Sequence, residues 1–297
     1  MELRTLRYFL EIAREENMTK AAERLHVSQS ALSRQVKSLE EELGKRLFIR
    51  HSFRIELTPE GILLRKRAED ILQMVDKTTE EFQALDDDLH GDIFIGCAES
   101  EAMKRLAELL VELHRLHPGI HYHLKSGNTA DIAGDLDKGL LDFAVIANAA
   151  VIANAVDLSK YNFLTIPTRD LWGAVMPKTH PLAVKSEIAV TDLLSQPLIL
   201  SVQSITDDYP KFFGDLQDRL NIVATFNLPY NGAVLVHAGL GIMLCFDKLI
   251  DTGDTSDLCF RPLTPRLESE GNIIWKKYQI FNPVAQALLD LMKESFA

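Results

Sequence analysis

Five side chains able to read or grip a nucleic acid stand close together in TKAAERLHVSQSALSRQVKSLE, residues 19–40: Gln29, Ser30, Ser33, Arg34 and Lys37. On a helix of 3.6 residues per turn Ser30, Ser33, Arg34 and Lys37 share one face, with Gln29 at its N-terminal edge. Glutamine matches the donor and acceptor pair of adenine, arginine matches guanine or a phosphate, and hydroxyls serve either. The bland counterpart is a solvated polar face on an unrelated helical bundle. Downstream, Arg50, His51 and Arg54 surround a short break in RLFIRHSFRIELTPEG and could reach a minor groove or a phosphate. A second group of positions suits a small ligand: Glu99-Ser100-Glu101, Gly127-Asn128-Thr129, Ala147-Asn148, Ser201-Val202-Gln203-Ser204 and Asn227. Apart from the first of these, the group is polar and uncharged.

Other chemistry is poorly served. There is no G-x-S-x-G elbow, no Walker loop and no H-E-x-x-H, so no enzyme is expected. Gly239-Leu240-Gly241-Ile242 is half a dinucleotide fingerprint, and it follows a helix rather than a strand. His114, His117, His121 and His123 lack a cysteine or acid set at ligand spacing, so surface histidines are expected rather than a metal site, and no cofactor is implied. Cys97 beside the ligand positions could sense redox state; a buried structural thiol is the plainer reading.

The elements that must carry these residues follow from pattern. Leu32, Val36, Leu39 and Leu43 make a buried stripe behind the polar face of a helix capped by Ser28. A preceding helix packs through Ala21, Ala22 and Leu25, and Leu3, Leu6, Phe9, Leu10 and Ala13 supply a third. Leu25-His26-Val27 is the break of a helix-turn-helix. Phe48–Arg50 and Arg54–Leu57 read as a two-stranded wing. Thr58-Pro59-Glu60 then opens a long helix as cap, first-turn proline and acid. In it Leu64, Ala68, Ile71, Val75, Thr78, Phe82, Leu85 and Leu89 alternate at 4 and 3, a heptad seam that predicts a dimer through Leu64, Ala68, Ile71, Val75 and Phe82. The alternative is a helix packed on its own domain.

The 297 residues carry a net charge of −11, which should repel DNA. The charge is not evenly spread. Residues 1–58 hold 11 basic against 9 acidic side chains, residues 59–90 hold 4 against 9, and residues 91–297 hold 17 against 25. A phosphate feels charge within a screening length of about 8–10 Å, so the positive N-terminal segment decides. Three cysteines form no disulfide framework, the most apolar run (Gly232 to Phe246) is short and glycine-broken, and the N-terminus has charges where a signal needs an apolar core. The chain is expected in the cytoplasm, with no membrane partner.

Residues 1–65, through LRYFLEIAREENMTKAAERLHVSQSALSRQVKSLEEELGKRLFIR and LTPEG, resemble the N-terminus of LysR-type transcriptional regulators. The resemblance continues more loosely in GDIFIGCA, LHRLHPGIHYHL, LLDFAV, HPLA and VHAGLGI. It implies a multidomain α/β protein: a winged helix-turn-helix (1–58), a dimerising linker helix and hinge (59–90), and a two-lobed, doubly wound α/β effector domain (91–297) resembling type 2 periplasmic binding proteins. It further implies a dimer or dimer of dimers on a two-fold symmetric operator, switched by a small-molecule effector, with RNA polymerase a further candidate partner. Carried over position by position, the DNA contacts would be Thr19, Gln29, Ser30, Ser33, Arg34, Lys37, Arg50 and Arg54. Ser30 stands where the family very often has proline.

The C-terminal part also reads independently. Asp86-Asp87-Asp88-Leu89-His90-Gly91 is a hinge, after which strand-like and helical runs alternate in the grammar of a doubly wound sheet. Lobe I is expected over about 91–161 and 266–297, and lobe II over about 162–265. The ligand positions above fall where strands end and helices begin. The repeat VIANAAVIANAV, residues 145–156, is placed on the first crossover and is too short for a repeat fold. Glu99 and Glu101 flank the N-terminus of a helix: either they cap it and face solvent, or at least one fills the anion seat there, with no lysine or arginine among the other cleft positions to reverse the field. The open alternative to a regulator is a ligand-binding or enzymatic domain whose N-terminus only dimerises.

Overall fold

A computed structural model describes residues 1–51, 54–83, 89–147, 158–206 and 209–296. The chain divides into two compact units, Met1–Gln83 and Ala84–Ala297.

The first unit contains helices α1 (Leu3–Glu15), α2 (Met18–Arg24) and α3 (Gln29–Leu43), strands β1 (Phe48–Arg50) and β2 (Ile55–Leu57), and helix α4 (Pro59–Gln83). Local chemistry sets each boundary. Asn17 Oδ1 accepts the backbone N–H groups of Thr19 (2.9 Å) and Lys20 (3.1 Å) to start α2. Ser28 Oγ accepts Ala31 N–H to start α3, which ends at Gly44 in the left-handed region. Thr58 Oγ1 accepts Gly61 N–H to start α4 and donates to the Arg46 carbonyl. A side chain at Gly61 would place its Cβ 2.2 Å from the Leu47 carbonyl oxygen, so the turn-to-helix junction closes only on glycine. Leu6, Phe9, Ile12, Ala21, Ala22, Leu32, Val36 and Leu39 form the core with Leu47 and Phe48. Leu3 and Leu43 are exposed, and Leu10 and Ala13 only half-buried; Ile12 takes the central place in α1.

The heptad seam divides. Ala68 is fully buried and Leu64 and Ile71 are half-buried against the core of this same unit, which also buries Leu72. These three predicted dimer residues are therefore used within the protomer, because α4 lies along α1. Val75 is half-buried, Thr78 is exposed, and Phe82 is 73% exposed; Leu85 and Asp86–Asp88 of the expected hinge lie outside the described residues.

The second unit is built on β3 (Gly91–Cys97), α5 (Ala102–Leu116), β4 (Ile120–Ser126), α6 (Thr129–Asp137), β5 (Phe143–Ala147), β6 (Tyr161–Pro177), β7 (Ile188–Ala189), β8 (Pro197–Ser201), β9 (Asn221–Phe226), α7 (Pro229–His237), β10 (Ile242–Phe246), β11 (Leu258–Thr264), β12 (Glu268–Lys276) and α8 (Pro283–Phe296). One lobe has strand order β4-β3-β5-β12-β6, the other β6-β10-β8-β9 with β11 and β7 on the other side of β6. In each lobe three parallel strands meet an antiparallel return. Each has its own apolar cluster, one around Ile95, Phe143, Trp275 and Leu288, the other around Trp172, Leu200, Tyr209 and Leu244.

Strand β6 belongs to both lobes. Tyr161–Leu171 pairs with β12, whereas Trp172–Pro177 pairs with β10 and β11. The first crossover thus lies at Leu171/Trp172, later than the sequence pattern places it, since the strand runs unbroken through Pro167. The repeat does not mark it: Val145–Ala147 end β5, and 148–156 lie outside the described residues. Among the described residues no helix is long and apolar enough to cross a membrane.

Candidate functional site

In the first unit, α3 turns Leu32, Val36 and Leu39 inward and leaves Gln29, Ser30, Arg34 and Lys37 exposed, with Ser33 half-exposed. Arg50 Nη1 donates to Ser33 Oγ at 3.5 Å, so one wing arginine joins this face. Arg54 is held elsewhere: it pairs with Glu16 (3.1 Å) and Glu56 (3.3 Å), and Ile55 N–H donates to the Glu16 carbonyl at 2.8 Å. All three side chains of that pairing are largely exposed, where an ion pair is worth at most about 1 kcal/mol, so a phosphate could displace it. Thr19 is exposed in the first turn of α2. Ser30 fits the helix start without strain, its hydroxyl 3.3 Å from Ser28 Oγ.

In the second unit a cleft opens between the lobes, with an empty volume of about 660 Å³, part of it open to solvent. Of the predicted ligand positions, Glu99, Gly127, Asn128, Ala147, Ser201, Gln203, Ser204 and Asn227 line it. Ser100, Glu101 and Thr129 do not, and Asn148 lies outside the described residues. Thr129 is buried and ties the lobes together: its N–H donates to Gln203 Oε1 and its Oγ1 accepts from Gln203 Nε2, both at 2.9 Å. The remaining wall is apolar, chiefly Trp172, Val202, Phe226, Leu244 and Phe246. These residues are invisible to a search for chemistry-bearing types because, in sequence, they read as core.

The N-terminus of α5 corrects the sequence reading. Neither Glu99 nor Glu101 occupies it. Glu101 N–H donates at 2.8 Å to Oδ1 of Asp170, a β6 residue only 1% exposed, and Ala102 N–H donates to Ser100 Oγ at 3.1 Å. Burial drives the Asp170 carboxyl up to about 6 despite the opposing bonds from Glu101 N–H and the Ser100 hydroxyl. Glu101 turns to Lys104 (2.8 Å) and Lys248 (3.4 Å); burial alone would raise its pKa, but these two ammonium groups outweigh it and lower it. Lys248, 147 residues away, is the cation the sequence pattern missed. Glu99 faces the cleft, and burial raises its pKa.

Cys97 is buried, and desolvation pushes its thiol up to about 12, the opposite of what a reactive thiolate needs. Among the described residues no histidine, cysteine or acid group gathers as a metal site; His123 pairs with Asp92 and stacks on Phe94. Gly239-Leu240-Gly241 joins α7 to β10, where a Cβ on Gly241 would meet the Pro197 carbonyl oxygen at 2.3 Å, a packing role.

The family model for the bacterial regulatory helix-turn-helix protein, lysR family, matches residues 3–62, and that for the LysR substrate binding domain matches residues 86–297. The chain is 26% identical over 293 residues to the uncharacterized HTH-type transcriptional regulator YnfL of Escherichia coli (strain K12), covering 96% of each. The crystal structure of CbnR, a LysR family transcriptional regulator, matches with a TM-score of 0.75 at 18% identity over 100% of both chains. Full-length CbnR complexed with its target DNA matches at 0.74 and 20% identity, covering 99% of this chain and 100% of that one. The chain therefore belongs to the LysR family: it is a DNA-binding transcriptional regulator with a substrate-binding domain, and not an enzyme.

Proposed function

We propose that α3 enters the major groove of a two-fold symmetric operator, with Gln29, Ser30, Ser33, Arg34 and Lys37 reading bases or gripping phosphate. Thr19, Arg50 and Arg54 hold the flanking backbone. The observation that carries this is the α3 face itself: capped by Ser28, apolar behind, and unobstructed at Gln29, Ser30, Arg34 and Lys37. Two such heads, joined through the exposed part of α4, match a two-fold site, and a dimer of dimers extends it. Residues 1–58 serve as DNA-binding domain, 59–90 as linker and 91–297 as effector domain. A small-molecule effector bound in the cleft between the lobes adjusts the heads and any contact with RNA polymerase. The buried, unpaired Cys97, Cys245 and Cys259 support work in the reducing cytoplasm.

The test is a fluorescence-anisotropy titration of the full chain on DNA upstream of its own gene. Binding should weaken steeply with salt. Arg34→Ala should lose about 1–3 kcal/mol, with relaxed specificity if Arg34 reads a base and a shallower salt dependence if it grips phosphate. Unchanged affinity in a folded Arg34→Ala protein would remove α3 from the groove.

A further inference from the structure

The cleft is unsuited to an anion. Among the described residues lining it there is no lysine, arginine or histidine, and Glu99 is the single acid. An acid bound here would have to find N–H or O–H groups instead, and at the starts of α5 and α6 the following N–H groups are already engaged. At α5, Glu101 N–H donates to Asp170 and Ala102 N–H to Ser100. At α6, Thr129 N–H donates to Gln203 and Asp131 N–H to Asn128 at 2.9 Å. Lys248, two residues beyond the lining Phe246, directs its ammonium to Glu101. At these two helix starts the chain has thus supplied its own acceptors to four N–H groups that an anionic ligand could use.

What the cleft offers is one partly buried acid, Glu99, in a lining that also includes Trp172, Phe226 and Phe246. Trp172 and Phe246 pack with ring centroids 4.3 Å apart, and Phe226 lies on the same lobe. Ring faces attract cations, more strongly where water is excluded. We propose that the effector is an organic cation, an amine on an apolar body, whose ammonium pairs with Glu99 while the body lies against Trp172, Phe226 and Phe246. This rests on the reading of the cleft as the effector site. Ser201, Ser204 and Asn227 add hydroxyl and amide groups for any further polar part of the ligand.

Calorimetry on the full chain with two matched triplets tests the assignment: 2-phenylethylamine, 2-phenylethanol and phenylacetate, then butylamine, 1-butanol and butyrate. In each triplet the amine should bind at least tenfold tighter than the acid. Glu99→Gln should abolish that preference while leaving the alcohol unchanged, with circular dichroism confirming the fold. A carboxylate that binds as tightly as its matched amine, or an amine preference that survives Glu99→Gln, overturns the cationic class and leaves the cleft an effector site. Failure of all six compounds to bind at millimolar concentration overturns both readings.

Discussion

Asp170→Asn should shift the stability of the substrate-binding domain in the variant's favour as pH rises from about 4 to about 7. Asp170 is buried on β6 with Oδ1 bonded to Glu101 N–H, and its buried Oδ2 has no hydrogen-bond partner. Its carboxyl titrates at about 6 in the folded chain against an ordinary 3.8. The folded protein therefore holds this proton more tightly than the unfolded chain does. Stability is highest with the group protonated, falls as pH rises from about 4 to about 6, and is flat above. At about 1.4 kcal/mol per pH unit the ionised group costs about 3 kcal/mol at neutrality. Asparagine keeps the acceptor for Glu101 N–H and carries no charge at any pH, so the stability difference should shift in its favour by about 2 kcal/mol between pH 4 and 7. Any fixed cost of burying its amide is a constant offset. Both tryptophans, Trp172 and Trp275, lie in this unit, so urea unfolding followed by tryptophan fluorescence reports on it alone. Carboxyls remote from Asp170 titrate alike in both proteins and cancel in the difference. A stability difference constant to within about 0.5 kcal/mol from pH 4 to 7 would refute the assignment of burial as the dominant influence on Asp170.

Two further outcomes follow from the first unit. Gly61→Ala drives a Cβ into the Leu47 carbonyl and should destabilise the head by about 1–3 kcal/mol, seen as faster hydrogen exchange in peptides of 1–60 with those of the second unit unchanged. Phe82→Glu, on the exposed part of α4, should weaken self-association at least tenfold in sedimentation equilibrium; an unaltered dimer would place the interface elsewhere.

Much of this was legible because local rules decide it. Ser28 and Thr58 are caps by side-chain chemistry alone, and each accepts the expected backbone N–H. The strand ends that carry Ser201, Gly127 and Asn227 could be placed for the same reason, and with them most of the cleft's polar rim. The failures share one cause, which is that one pattern has two physical solutions. An apolar stripe on α4 serves a partner helix or α1 equally well, and only tertiary packing chose α1 for Ala68. Likewise an acid beside a helix start is a natural occupant of its anion seat. Yet Asp170, 69 residues from Glu101 in sequence, took that place, and Lys248 drew Glu101 aside. Neither pairing leaves a trace in spacing.

The unbroken run of β6 through both lobes has a mechanical consequence. Its hydrogen bonds hold Tyr161–Leu171 to β12 and Trp172–Pro177 to β10 and β11, so a turn of one lobe against the other concentrates at Asp170–Trp172. That pivot is also where the start of α5 is fastened, through Glu101 N–H and Asp170. A 15-residue helix is about 22 Å long. A twist of about 5° at its fastened end would swing the far end near Leu116 by about 2 Å. Because Leu106, Leu109, Leu110 and Leu113 pack α5 into the first lobe, the helix would turn with that lobe, and a slight closure of the cleft would move its far end more than the pivot.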